Sequence, residues 1–239
     1  MTEIGLQQSS EPTDGVVDLL GMLSYATLSG FFRLSADAAV AASLPDKIAL
    51  SEMAVTQYGH FRQLHGRLEQ LNVDPDAAMR PFVPALDAFH AATRPADWLE
   101  GLVKAYVGDG ISGDFYRMIA DLLDPRTQTL VNEVLADSGH ADFVVVRVRE
   151  AITANPSVAG RLALWARRLV GEAVGQAQRV AAEREALARL LSGGEAARAG
   201  DQRGKIGRMF ARLTDANSRR MAALGLTSGS TRVPPADRS

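Results

Sequence analysis

The sequence predicts an all-α protein, a bundle of long helices with additional helices at its C-terminal end. Three observations predict it. Apolar residues recur at helical spacing over long stretches, as in Val16, Leu19, Leu20, Leu23, Phe31 and Leu34. Aromatics make up only 6% of the chain while Ala, Leu and Val dominate, which suits close helix packing better than a sheet core. No stretch reads as a strand.

Taken in order, residues 1–13 are polar and are expected to be disordered, with Thr13 or Asp14 capping the first helix, which runs to about Ala42. Pro45 sits in the first turn of a second helix, where a missing N–H costs little, and that helix reaches about Leu71. Pro75, Pro81 and Pro84 mark residues 72–84 as a loop. A short helical piece over Ala85–Ala92 follows, and a third long helix, Trp98 to Leu123, opens near Asp97. Its Gly108, Gly110 and Gly113 each disfavour a helix interior by roughly 1 kcal/mol, so they predict a close helix–helix approach or a local distortion. A fourth helix starts at Pro125 and ends near Asn155-Pro156, and a fifth runs from Val158 to Leu191. Residues 14–192 thus form the bundle. Residues 193–224 hold a linker and a basic helix from Gln202 to about Leu224, and residues 225–239 form a tail rich in Ser, Pro and Arg, expected to be disordered.

Several chemistries are excluded at once. The chain has no cysteine, so disulfides, thiolate metal sites and thiol nucleophiles are absent. A net charge of −2 gives no global reason to expect a polyanionic partner. The first fifteen residues lack the basic and apolar regions of a signal peptide, and no apolar run suggests a bilayer span, so a cytoplasmic protein away from the membrane is the default expectation.

The chemistry-bearing residues form a pattern. Of four histidines, His60 lies three residues after Gln57 and His140 three residues after Asp137, so each pair shares one helix face. Each pair follows another long helix. In the second half that helix offers Asp109, 28 residues before Asp137; in the first half the similar position is Thr27, 30 residues before Gln57. The halves read as pseudo-repeats of one helical hairpin. This is the logic of a carboxylate-bridged di-metal bundle, in which two helices supply an acid each and two supply Glu-x-x-His. His65 and His90 match no pattern and are expected to be structural or exposed.

The runs Phe31-Phe-Arg-Leu-Ser-Ala-Asp-Ala, Trp98-Leu-Glu-Gly-Leu-Val-Lys-Ala-Tyr-Val-Gly-Asp-Gly-Ile, Leu135-Ala-Asp-Ser-Gly-His140 and Arg161-Leu-Ala-Leu-Trp-Ala-Arg-Arg-Leu-Val-Gly-Glu-Ala carry a resemblance. Over roughly residues 15–192 the chain resembles the actinobacterial ferritin-like proteins of the tRNA-hydroxylase (MiaE)-like family. The resemblance implies a ferritin-like four-helix bundle with an oxygen-activating di-iron centre and a small-molecule or modified-nucleoside substrate. By that pattern His60, Asp109, Asp137, His140 and Gln57 are the metal-site residues, Gln57 offering only a neutral carbonyl oxygen where the family has Glu, and Thr27 stands at a second position where the family has Glu.

Those two departures remove two negative charges from a site that balances two hard cations with about four carboxylates. One iron held by Asp109, Asp137 and His140 with His60, or an empty site, are the readings that remain. The first makes the protein a non-haem iron hydroxylase or oxidase with a pocket lined by Tyr25, Tyr58 or Tyr106. The second makes it a metal-free interaction or scaffold protein. Glu172 reads as an ion-pair partner of Arg168 or a hydrogen-bond partner of Gln176 rather than a replacement ligand. The basic segment from Arg198 to Arg220 lacks the aromatic interleaving of an RNA-binding surface and reads as a solvated face or an oligomer contact, compatible with a homodimer.

Overall fold

The computed structural model describes residues 13–119, 122–135, 140–192 and 199–226, with the backbone alone described at 109, 116, 117, 119, 140, 199–203, 205 and 206. Its helices are α1 (Asp14–Val40), α2 (Leu44–Gln70), α3 (Pro75–Met79), α4 (Val83–Ala92), α5 (Trp98–Ile119), α6 (Pro125–Val134), α7 (His140–Ala154), α8 (Val158–Glu183), α9 (Glu185–Leu191) and α10 (Ala199–Ala223). No strand occurs among the described residues.

Local chemistry sets the helix starts. Ser43 Oγ accepts the Asp46 N–H at 3.2 Å, with Pro45 in the first turn of α2. Asp97 Oδ1 accepts the Glu100 N–H at 2.9 Å while Glu100 Oε2 accepts the Ala96 N–H at 2.8 Å, a reciprocal capping arrangement at the start of α5. Asp124 caps α6 through the N–H groups of Arg126 and Thr127. At the other end of the chain the Leu226 N–H bonds the Met221 carbonyl at 2.9 Å and Gly225 has φ of 78°, so the first two residues assigned to the tail close α10 instead. Residues 1–12, 193–198 and 227–239 lie outside the described residues.

Three expectations change. The predicted loop over 72–84 contains α3 and a 3-10 turn, Arg80–Phe82, because Asp74 caps a helix that Pro75 can begin. The fourth predicted helix is described as two, α6 and α7. The fifth breaks at Arg184, whose φ and ψ of −116° and 82° are not helical and whose guanidinium reaches back to Asp18 on α1.

α1 and α2 form a hairpin joined by a short turn; α5 packs beside α1, α6 against α2, and α7 against α5, so four helical sides enclose an interior. Arg147 on α7 closes the ring through Asp46 on α2 at 2.9 Å. α8 crosses α4 and α5, α9 folds back on α1, and α10 packs on α5 and α8. α1 is long and apolar enough to cross a membrane, contrary to expectation, but 56% of that apolar stretch is buried in the bundle it centres.

The buried apolar residues fall into two clusters. One gathers Leu34, Leu50, Met53, Leu102, Val148 and Trp165; the other gathers Leu20, Leu64, Leu68, Phe82, Val131 and Leu187. α1 and α2 each contribute to both, and on these two helices the stretch between them is polar. On α2 the inward stripe runs Leu50, Met53, Ala54, then Gln57 and His60, then Leu64 and Leu68. On α1 it runs Leu19, Leu20 and Leu23, then Thr27, then Leu34 and Ala38.

Candidate functional site

The polar stretch lines a cavity of about 620 Å³ inside the bundle. Thr27, Gln57 and His60 all lie on its wall, as do Gly108 and Gly110, which flank Asp109, and Ala141, which follows His140. Side-chain positions of Asp109 and His140, and all of Asp137, lie outside the described residues. The Gln57 side chain lies over Gly30 here: a Cβ at residue 30 would sit 3.4 Å from Gln57 Oε1, in ordinary contact.

Thr27 brings a neutral hydroxyl in place of a carboxylate. Its hydroxyl pairs with the carbonyl oxygens of Leu23 and Ser24, both at 3.0 Å, in its own helix. Gln57 brings a neutral amide. Among the described residues the charged side chains on the wall are mostly cationic: Arg33 from α1, Lys104 from α5, and Arg219 and Arg220 from α10. Asp114, the carboxylate among the described lining residues, is paired with Arg220, whose Nη1 donates to it at 2.8 Å.

Sequence patterns did not single out the cationic cluster, and His90 belongs to it. Arg33 Nη1 lies 3.4 Å from His90 Nδ1. Burial, with Arg33 and Lys104 adding to it, pushes the His90 ring down to about 3, so it is neutral at ordinary pH and accepts from Arg33 at Nδ1. Lys104 is 3% exposed, donates to the Thr93 carbonyl at 2.6 Å and lies 5.3 Å from the centre of the Phe89 ring. Burial, reinforced by Arg33, lowers its ammonium to about 7, against the pull of Asp37. Asp37 lies behind the wall, and burial raises its own carboxyl while Arg33 and Lys104 oppose that rise. The spacing rules for metal ligands do not look for Arg or Lys, and the residues sit on α1, α4 and α5, so no local motif announces them.

Two dications need about four carboxylates. The described side chains of the wall, among them Thr27, Gln57, His60, Arg33 and Lys104, with Asp114 paired to Arg220, do not by themselves fit a dinuclear centre, because burying positive charge beside uncompensated positive charge is expensive. Among the described residues no group of three or more His, Asp or Glu is gathered as metal ligands would be.

The remaining candidates fall elsewhere. Tyr106 lines the cavity, but Tyr25 hydrogen-bonds Asp87 at 2.7 Å, and Tyr58 stacks in a row with Phe31 and Phe61 on the outside, so neither lines it. His65 pairs with Glu69 at 3.6 Å. Glu172 lines no described cavity, and Arg168 donates to the Ala92 carbonyl at 2.6 Å to close α4. On the basic helix α10, Arg208, Arg212 and Arg219 are exposed, as a solvated face would have them, while Ala216, Arg219, Arg220 and Ala223 also border the cavity, and Gly110 makes room for the Arg220 side chain, which an added Cβ would overlap.

No functionally curated protein matches the chain. The family model described as a ferritin-like domain of actinomycetes matches residues 11–194, from the start of α1 to just past α9, and leaves α10 outside. With that match over most of its length and four helical sides around one interior site, the chain belongs to the ferritin-like domain family of actinomycetes.

Proposed function

We propose that the protein is a small-molecule-binding bundle that works without the dinuclear metal centre its fold can house. The observation that carries this reading is the charge of the described cavity wall: Arg33 and Lys104 line the same cavity as Thr27 and Gln57, which are neutral at the two positions where acids are expected. Such a wall attracts anions and repels metal ions. A bundle of this kind is a binding or interaction protein rather than a hydroxylase.

Anaerobic loading with Fe(II), followed by desalting and metal analysis, tests the reading. Far less than one iron per chain is expected. Two firmly held irons per chain would overturn it. The double substitution Thr27→Glu and Gln57→Glu restores two acids to the cavity and is expected to raise iron uptake above that of the wild type, with circular dichroism checking that the helices persist.

A second reading has one observation in its favour. The neighbours of Asp109 and His140 line the same cavity as His60, so a half-site of His60, Asp109, Asp137 and His140 would open there. A facial set of imidazoles and carboxylates suits a single non-haem iron, which would supply oxygen activation for a hydroxylase of the tRNA-hydroxylase-like kind. One iron per chain, lost in His60→Ala, is the outcome that selects it.

A further inference from the structure

A second cavity, of about 220 Å³, lies against the first. Its wall is almost wholly apolar, with Phe82, Val107, Leu169, Leu187 and Leu213 among its contributors from α5, α8, α9, α10 and the 3-10 turn. The two cavities share Ala26, Leu86, Phe89, Lys104, Gly108 and Ser112 on their walls. Lys104 therefore stands at a boundary, with polar, cationic space on one side and hydrocarbon-like space on the other. Gln176 lines the apolar chamber, and its Oε1 is buried with no protein partner. A buried acceptor left over in a native structure calls for a partner from outside the chain.

We propose that the joined cavities form one binding site for an amphipathic anion, its acid head group held by Lys104 and Arg33 and its apolar chain lodged in the chamber beneath α10. The proposal rests on the metal-free reading above, since two irons would occupy the head-group space. Each part of the site answers one part of such a ligand. The head needs charge-assisted donors: Lys104 has N–H groups beyond the one given to Thr93, and Arg33 is oriented by neutral His90. The chain needs dry apolar volume, which pockets for small ligands typically provide with a few fixed polar groups at one end. A hydroxyl along the chain would satisfy Gln176 in either amide orientation, because it both donates and accepts. A two-tailed lipid exceeds the chamber, so a single-chain molecule is the occupant that fits.

Titration calorimetry with decanoate, decyl phosphate and decanol on the full chain tests the proposal, with iron uptake measured on the same preparation. One molecule of either acid per chain is expected, with decanol bound about 10- to 100-fold more weakly. Lys104→Met is expected to remove that preference, and Ala173→Trp, which fills the chamber, to abolish binding of all three. Val174→Phe provides a milder block should the tryptophan variant misfold by circular dichroism. Equal binding of decanol and the acids, or affinities unmoved by Lys104→Met and by the chamber variants, would mean surface adsorption and overturn the proposal. No binding by a protein that also takes up no iron overturns this inference and leaves the metal-free reading standing. No binding by a protein that holds two irons overturns both.

Discussion

At the scale of single residues the site is governed by burial of charge. Lys104 and Arg33 share a small interior with His90, and the protein manages them by keeping the histidine neutral and an acid, Asp37, behind them. The neutral histidine has a consequence for stability. Its folded-state value of about 3 lies below the ordinary 6.5, so between those values the unfolded chain binds a proton that the folded chain refuses. Stability from this group is complete above pH 6.5 and is lost progressively as the pH falls toward 3. His90→Gln keeps an acceptor for Arg33 and removes the titration. Thermal melts between pH 7 and 4 are expected to decline less steeply in the variant than in the wild type. Parallel declines would show that the His90 ring is charged in the folded state, contrary to its placement among cations.

At the scale of elements, packing turns on small residues where helices cross. α3 lies across α1 at Gly21, and a Cβ added there would overlap the Ala78 carbonyl, which is backbone and cannot turn aside. Gly21→Ala is therefore expected to destabilise by about 1–3 kcal/mol despite the better helix propensity of alanine, measured by urea unfolding. A gain in stability would mean that α3 is not seated on α1. This contact also marks what the sequence could and could not convey. The long helices were legible because each carries its own apolar stripe, and several starts carry their own caps, Ser43 with Pro45, Asp97 with Glu100, and Asp124 with Pro125, although the Thr13 side chain expected to cap α1 makes no such bond. Thr27, Gln57 and His60 were legible as companions because they interrupt two stripes at the same height. α3 was hidden by prolines that equally well mark loops. The break at Arg184 answers to Asp18, 166 residues away, and the burial of α10 over the cavities depends on a partner face that an amphipathic pattern cannot name. The cationic cluster was hidden for the same reason, since Arg33, His90 and Lys104 meet only after α1, α4 and α5 have packed.

At the scale of the whole molecule, two apolar cores are separated along α1 and α2 by a polar belt that lines a cavity. An interior built for stability alone would continue the stripe of α2 through residue 57 with an aliphatic side chain, as it does at Leu50 and Leu64. Gln57 instead leans over Gly30 into open space, and its amide and the cavity beside it represent stability forgone. Sites kept for binding show this trade, and filling them commonly raises stability at the expense of function. Gln57→Leu adds apolar volume at a position already in register with the core, and it is expected to raise the unfolding free energy by about 0.5–2 kcal/mol while weakening decanoate binding. The pairing of the two effects is what matters, because a structural glutamine and a functional one predict opposite signs for the first. A loss of stability in Gln57→Leu would show that the amide is holding the bundle together, and the belt would then be part of the scaffold rather than a site preserved against it.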